Sequence, residues 1–150
     1  GREYGVWQQQ GTIPANGAAS VASVELPLAD VEEIFFLDLT LGEARNRYVF
    51  TRAESLAPLL RQPSTRLTVE KLDAGDDTVL TITNVGDQAA LFVWLEDARD
   101  VESAGYAYFS DNYFCLFPGE SRAITAEWQN VAAEDRPVEI RAWNAEAHTV

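Results

Sequence analysis

The stretch Thr78-Val-Leu-Thr-Ile-Thr-Asn-Val85 alternates threonine with aliphatic residues over most of its length. Successive side chains of a β-strand point to opposite faces, so this pattern predicts a half-buried strand. The stretch Ser121-Arg-Ala-Ile-Thr-Ala-Glu-Trp128 has the same period, with Ile124, Ala126 and Trp128 on one face. Both segments predict strands that turn one face to a core, and they decide the fold class.

Further segments of this kind lie on both sides of these two, separated by turn signals such as Pro118-Gly119. The strand candidates are Arg66–Lys71, Thr78–Val85, Ala89–Glu96, Ala107–Phe109, Tyr113–Phe117, Ser121–Trp128 and Val138–Trp143. About seven short strands, spaced roughly 10 residues apart, predict an all-β fold. We expect an immunoglobulin-like antiparallel β-sandwich over residues 64–150. Trp94 lies in the third strand, where such sandwiches often bury a tryptophan, so we expect it in the core.

The first 52 residues contain fewer strand candidates. These are Tyr4–Gln8, Ala19–Leu26, Ile34–Leu41 and Arg45–Arg52. Four strands form only one face of a sandwich, and a lone sheet leaves an apolar face in water. We therefore expect residues 1–52 to be the C-terminal half of another immunoglobulin-like domain, packed on a neighbour, on further chain or on a second copy. Residues 53–63 predict a connector, in which Pro58 limits any helix.

The composition excludes several classes of function. The chain has 150 residues, 24 acidic against 11 basic, and a formal net charge of −13. This charge repels phosphate, so we expect neither nucleic acid nor an anionic membrane as a partner. The apolar runs fall short of the roughly 18 residues of a membrane span. The chain is also short for a (β/α)₈ barrel, which needs roughly 250 residues.

The compartment stays open. With only Cys115, an internal disulfide is impossible, which slightly favours the cytoplasm. No signal peptide opens this sequence, and the absence of an initiator methionine leads us to expect a fragment of a longer protein.

The sequence nominates neither a metal site nor a catalytic group. Two acidic clusters could offer oxygen ligands to calcium, but their spacing matches no EF-hand loop, so we expect solvated turns. These clusters are Asp73, Asp76 and Asp77, and Glu96, Asp97, Asp100 and Glu102. A single histidine, His148, and a single cysteine do not make a zinc site or a catalytic triad. We expect no metal and no cofactor.

The aromatic residues support a second hypothesis. Exposed tryptophans on a β-sandwich can stack on sugar rings, as in a carbohydrate-binding module. Trp94 and the rings of Tyr113–Phe117 are assigned to the core. Trp7, Trp128 and Trp143 are less certain and are the candidates for sugar stacking. Packing in a core or between domains remains the preferred interpretation for all of these rings.

One segment carries a family resemblance. Tyr108-Phe-Ser-Asp-Asn-Tyr-Phe-Cys-Leu-Phe-Pro-Gly-Glu-Ser121, here called the signature segment, resembles a motif of the C-terminal immunoglobulin-like domain of β-mannosidases of glycoside hydrolase family 2. Ala44-Arg-Asn-Arg-Tyr-Val-Phe50 is similar to the end of the preceding domain in that family, and Ile13–Gly17 resembles a turn within it. Related exo-glucosaminidases and endo-mannosidases share similar domains. Cys115 stands where the motif often has Asp.

The resemblance implies a multidomain parent that hydrolyses terminal β-mannosides on a catalytic (β/α)₈ barrel. The family's catalytic glutamates lie on that barrel, so no catalytic residue carries over to this chain. The chain alone would then be non-enzymatic. Its implied partners are the barrel and the other domains of the parent, with a β-mannoside or an oligosaccharide as the ligand of the whole.

The signature segment also has a physical interpretation. Ser and Asx side chains bond nearby backbone groups and shape corners, and Pro-Gly forms turns. We expect the segment to be a folding motif, with a substrate-side contact as the alternative. The residues concerned are Ser110, Asp111, Asn112, Tyr113, Phe114, Pro118, Gly119 and Glu120.

Overall fold

The computed structural model of the chain describes residues 2–26 and 29–150, which fall into two units, residues 1–61 and 62–150. The strands, numbered in chain order, are β1 (Ile34–Leu41), β2 (Ala44–Thr51), β3 (Leu67–Ala74), β4 (Asp77–Asn84), β5 (Ala90–Asp97), β6 (Tyr106–Phe109), β7 (Phe114–Leu116), β8 (Ser121–Gln129), β9 (Val138–Ala142) and β10 (Ala145–Thr149). A short 3-10 helix spans Ala57–Arg61. In the described residues, no helix has the length and apolar character needed to cross a membrane.

The second unit is a β-sandwich of two four-stranded sheets. One sheet has the order β10-β9-β5-β7 and the other β3-β4-β8-β6, and all neighbouring strands are antiparallel. The core lies between the sheets and takes alternate residues from both. Its fully buried aliphatic side chains include Leu67, Leu80, Ile82, Val93, Ile124, Val138 and Ile140. The predicted all-β, immunoglobulin-like fold is confirmed.

Asn84, at the end of β4, is a fully buried polar residue in this sandwich. Its side-chain Nδ2 donates to the carbonyls of Gln88 (2.7 Å) and Leu116 (2.9 Å). Its Oδ1 accepts from the Thr65 hydroxyl (2.8 Å) and the Gly86 N–H (3.1 Å). An asparagine amide offers two donors and two acceptor sites, and these four hydrogen bonds use all of them. The buried side chain therefore has no unsatisfied polar group.

All seven strands predicted after residue 64 are present, and an eighth, β10, was not predicted. Ala145-Glu-Ala-His-Thr149 contains few β-branched or aromatic residues. It forms a strand at the edge of its sheet and pairs with β9, with a register irregularity between Ala145 and His148. Ala145 also forms an isolated parallel bridge with Thr65. The pairing of β10 with β9, rather than its own composition, makes it a strand.

In the described part of the first unit, the chain forms one hairpin. β1 and β2 pair antiparallel from Ile34↔Thr51 to Leu41↔Ala44, around the two-residue turn Gly42-Glu43. Gly42 has φ +59, a conformation that glycine adopts without steric cost.

Two sets of side-chain contacts organise this hairpin, one near its open end and one in its middle. The rings of Phe35 and Phe50 stack at 5.4 Å. Asp38 pairs across the strands with Arg47 (2.6 Å) and also with Arg45. These contacts give the hairpin an aromatic pair and a charge cluster, while Leu41 and Tyr48 remain exposed.

The predicted strands Tyr4–Gln8 and Ala19–Leu26 were wrong, because neither segment is a strand in the structure. Val6, Val21 and Val24 are exposed there. A strand needs a hydrogen-bonded neighbour, and β-branched composition alone does not supply one. In the connector, Pro58 and Leu59 are buried within the 3-10 helix, which stays short as expected.

Candidate functional site

The signature segment runs from the end of β6 through β7 to the start of β8, and residues 110–113 form the corner between β6 and β7. Within this corner, the side-chain amide of Asn112 pairs with the backbone of Leu95 in β5. Oδ1 accepts from the Leu95 N–H (2.7 Å), and Nδ2 donates to the Leu95 carbonyl (3.0 Å). β7 itself pairs with β5 through Ala90↔Leu116 and Val93↔Phe114. The amide therefore continues the β5–β7 pairing on the N-terminal side of β7.

Ser110 and Asp111 fix the other side of this corner to β8. The Ser110 N–H donates to the Thr125 carbonyl (2.9 Å), and the Ser110 hydroxyl accepts from the Thr125 N–H (3.0 Å). Asp111 accepts from Arg122 (2.7 Å). The three polar residues of the corner thus join both sheets, Asn112 to β5 and the other two to β8.

The end of the signature segment is a tight turn. Pro118 and Gly119 are its central residues, and the Glu120 N–H donates to the Phe117 carbonyl (3.0 Å). Gly119 has φ +78, which matches the third position of a type II turn after proline. The Glu120 carboxylate accepts from the Phe117 N–H (2.7 Å), so it is engaged within the turn.

Tyr113 is the most exposed aromatic ring of the signature segment. Phe114 is buried in the core beneath Arg122, whose guanidinium lies 4.8 Å from the ring centre. Tyr113 is 69% exposed and lies against Trp94, with ring centroids 6.4 Å apart and planes 16° apart. The assignment of Tyr113 and Trp94 to the core was wrong. Both alternate with buried neighbours, Tyr113 with Phe114 and Trp94 with Val93 and Leu95, so both point away from the core.

The core tryptophan of the sandwich is Trp128 instead. It is only 4% exposed, and its Nε1 donates to the Thr78 hydroxyl (3.1 Å). The prediction that Trp128 could stack on a sugar was therefore wrong, since its ring faces the core between the sheets. Trp128 lies on the same face of β8 as the buried Ile124 and Ala126, because the three residues are spaced two apart. This spacing in the sequence indicated its buried position.

The two remaining stacking candidates are half-exposed and lie in different units. Trp143 is 49% exposed and follows β9, where its N–H donates to the Leu91 carbonyl (2.8 Å). Trp7 is 50% exposed, and its ring lies so close to Gly5 that a Cβ there would meet Cη2 at 2.9 Å. Their role in sugar stacking stays a prediction.

Charged residues lie beside Trp94 on the outer face of its sheet, on β5 itself and on the neighbouring β9. Trp94 is the cross-strand partner of Arg141, and Glu96 is the partner of Glu139. The Trp94 indole donates to Glu96 (3.2 Å), and Arg141 pairs with Glu139 (2.7 Å). The hydrogen bond that Arg141 donates to Glu139, with the charges of Glu139 and Glu96, raises the pKa of Arg141. We call Trp94 and Tyr113 the aromatic surface, and Glu96, Glu139 and Arg141 its charged border.

The acidic clusters singled out in the sequence have internal partners. Asp73 accepts from the Thr78 hydroxyl (2.8 Å), and Asp97 accepts from Arg99 (2.6 Å). Partial burial raises the pKa of Asp97, but the side-chain and backbone hydrogen bonds and the charge of Arg99 outweigh it, so that pKa is lowered overall. Across residues 2–26 and 29–150, no three His, Cys, Asp or Glu side chains are placed to hold a metal ion.

A surface depression lies near the start of β3. It is lined by Ser64, Thr65, Arg66, Val85, Gly86 and Asp87. Asp87 is the single carboxylate among these lining residues, whereas glycoside hydrolysis by the common route needs two facing carboxylates. This depression therefore lacks the groups of a glycosidase site.

Comparison with known protein families identifies the family to which the sandwich is similar. The family model Ig_mannosidase, described as an Ig-fold domain, matches residues 60–143, which is more than half of the chain. The chain belongs to the Ig_mannosidase family. The match to Ig_mannosidase covers β3 to β9 and the whole signature segment. β10, β1 and β2 lie outside the matched residues.

A solved structure shows the same fold. The exo-chitosanase CsxA of Amycolatopsis orientalis is similar over 89% of this Ig_mannosidase chain, at 19% identity and a TM-score of 0.66. A structure of the exo-β-D-glucosaminidase CsxA, from work on its inhibition by castanospermine and australine analogues, matches 71% of the chain at 22% identity and a TM-score of 0.47. The chain spans about a fifth of the length of the first structure (20%). No curated protein matches the chain.

Proposed function

We propose that this chain is a non-catalytic accessory region of a glycoside hydrolase of the β-mannosidase type, whose whole chain would act on terminal β-mannosides. The observation that carries the proposal is the Ig_mannosidase match over residues 60–143, together with the signature segment inside it. The structural likeness to an exo-chitosanase of much greater length supports the same multidomain arrangement.

The contacts of the signature segment support a structural role. Asn112 bonds to β5, while Ser110 and Asp111 bond to β8, and Glu120 bonds within its own turn. A catalytic carboxylate needs access to substrate and a second carboxylate across the sugar. The two carboxylates of this segment, Asp111 and Glu120, instead accept hydrogen bonds from within the domain.

The domain arrangement belongs to the same proposal. Residues 64–150 form the complete sandwich, residues 53–63 are the connector, and residues 1–52 are the end of a second immunoglobulin-like domain. The hairpin of β1 and β2 supports this last assignment, because a two-stranded sheet with exposed Leu41 and Tyr48 is a small part of a sandwich. The partners of the chain would be the catalytic barrel and the other domains of the parent.

An activity assay tests the non-catalytic part of the proposal. The purified 150-residue chain should release no chromophore from an aryl β-mannoside, while the native polypeptide captured with an antibody to the chain should release it. Hydrolysis by the purified chain, lost on substitution of one of its own carboxylates, would overturn the non-catalytic role.

A carbohydrate-binding module is the second candidate function. It is favoured by one specific observation, the outward-facing pair of Trp94 and Tyr113 on the sandwich. Such a module would hold the polysaccharide near the catalytic centre of the parent, so the two functions are compatible.

A further inference from the structure

We infer that the aromatic surface of Trp94 and Tyr113 binds a neutral β-linked hexopyranose chain, with a β-1,4-mannan segment as the preferred ligand. The choice of mannan rests on the proposed function. The choice of a neutral pyranose chain rests on the geometry and charge of the site itself.

The geometry of the two rings suits a sugar. Their planes differ by 16°, and their centroids are 6.4 Å apart. Offset-stacked aromatic pairs have centroids about 4.5–7 Å apart, so these two rings are stacked with an offset. The 69% exposed ring of Tyr113 is the main face open to a ligand, and the partly buried ring of Trp94 is stacked against it. The C–H face of a pyranose is apolar and flat, and it packs on such a surface while its hydroxyls stay at the edge.

The charged border supplies partners for those hydroxyls. Arg141 lies opposite Trp94 on β9, and Glu96 accepts from the Trp94 indole. Carboxylates accept hydrogen bonds from hydroxyls and guanidinium groups donate to them. A few polar groups around an aromatic surface are the usual composition of a small-ligand site, because the rings supply contact area and the polar groups supply orientation.

The same border argues against a protein partner at this face. A standard protein interface buries roughly 800 Å² on each side, and its centre is depleted in charged residues. Here Glu96 and Arg141 lie directly beside Trp94, and Glu139 is paired with Arg141, so the uncharged patch is small. A phosphorylated ligand is disfavoured by the net charge of −13.

The backbone holds Tyr113 in place for this role. Tyr113 has φ +60, a region that bulky residues rarely occupy because of steric strain. The preceding residue, Asn112, is fixed to Leu95 by two hydrogen bonds. Strained residues of this kind persist where the surrounding structure determines them, and they cluster at ligand sites. Here the strain positions an exposed ring beside Trp94.

NMR titration of the 150-residue chain with β-1,4-mannotetraose tests the inference, with cellotetraose and chitotetraose as comparison ligands. The four tryptophan indole N–H signals, each assigned by a single substitution, report on separate parts of the chain. We expect the Trp94 signal to shift in a saturable manner with mannotetraose, and the signal of buried Trp128 to stay in place. Saturation by one of the comparison ligands and not by mannotetraose would overturn the mannan preference.

Tyr113→Gly is the decisive variant. Glycine tolerates φ +60, so the fold should survive while the ring is lost. We expect affinity for mannotetraose to fall roughly tenfold or more, about 1.4 kcal/mol. Tyr108→Ala is the matched control, since Tyr108 is exposed on the opposite sheet, in β6, and its loss should leave affinity unchanged.

Two further outcomes would overturn the inference. One is a Trp94 signal that does not move at any mannotetraose concentration, and the other is a folded Tyr113→Gly variant that binds as well as the unsubstituted chain. Neither would affect the proposed accessory role, because that role is tested by the size and activity of the native polypeptide.

Discussion

The side-chain amide of Asn112 pairs with the backbone of Leu95 in β5, at a position where β7 provides no backbone partner. The amide donates to the Leu95 carbonyl (3.0 Å) and accepts from the Leu95 N–H (2.7 Å). An extended backbone residue offers one donor and one acceptor, and the asparagine amide offers the same pair. The corner between β6 and β7 can therefore leave the sheet without exposing an unpaired stretch of β5.

The first prediction concerns Asn112. Asn112→Ala leaves the N–H and carbonyl of Leu95 without these partners, and unsatisfied buried groups cost about 1–3 kcal/mol each. We expect the free energy of unfolding of the sandwich to fall by about 2 kcal/mol, measured by urea denaturation. Asn46→Ala, at an exposed position of β2, is the control and should change it little. Equal effects from the two variants would contradict this role for Asn112.

The second prediction compares the buried Trp128 with the half-exposed Trp143. Trp128 is buried and bonded to Thr78, so Trp128→Ala creates a cavity and should lower stability by about 3–5 kcal/mol. Trp143 is half-exposed, and Trp143→Ala should cost distinctly less. Thermal and urea unfolding of both variants provide the test. A similar loss from both would mean that Trp128 is not the core tryptophan.

The third prediction compares two glycines with positive φ, Gly119 at +78 and Gly105 at +82. A Cβ at Gly119 would meet nothing within 4 Å, whereas one at Gly105 would lie 2.4 Å from the Gln129 carbonyl oxygen. Gly119→Ala should cost only the backbone strain, about 1 kcal/mol. Gly105→Ala adds a backbone clash and should cost more. Urea denaturation of both variants measures the difference, and the reverse order would contradict the described turns.

The fourth prediction concerns pH. The hydrogen bond from Arg47, helped by Arg45 and opposed by partial burial, lowers the pKa of Asp38 from 3.8 to about 2. A lowered pKa means that the ion pairs stabilise the hairpin of β1 and β2 above about pH 3.8, and that this contribution is lost as the pH falls toward about 2. NMR titration of the Asp38 carboxyl should give a midpoint near 2.

Arg47→Gln is the control for this titration, because it removes the largest cause of the shift. The Asp38 midpoint should then move up toward 3.8. A midpoint near 3.8 in the unsubstituted chain would show that the two arginines do not hold Asp38 as described.

The strands after residue 64 could be predicted because alternation and turn residues agree there. In β4 and β8 every buried position follows the period of two. The same rule, applied to Ala89–Glu96, would have placed Trp94 on the outer face. The run is almost uniformly apolar in sequence, however, so the alternation is hard to recognise there. In the structure Ala90, Leu91, Val93 and Leu95 are all buried around Trp94. A bulge between Ala90 and Val93 explains the neighbouring buried pair, and a bulge has no signal in composition.

The sequence predicted that the polar residues of the candidate site would form hydrogen bonds at a corner, but it did not predict their partners. Ser110, Asp111 and Asn112 indicated a corner, yet nothing in the sequence named Leu95 or Thr125 as their backbone partners, since these lie 15 or more positions away. The strand candidates before residue 27 failed for a related reason. Alternation predicts which face would be buried, but pairing decides whether a strand forms at all.

The central claim, that this chain is an accessory region of a larger glycoside hydrolase, is tested most directly by the size of the native polypeptide. Source-cell extract would be blotted with an antibody raised against the purified chain. A band several times the 16.6 kDa of the chain is the predicted result. A band near 16.6 kDa would contradict the claim and would make glycan binding the leading function of a chain that acts alone.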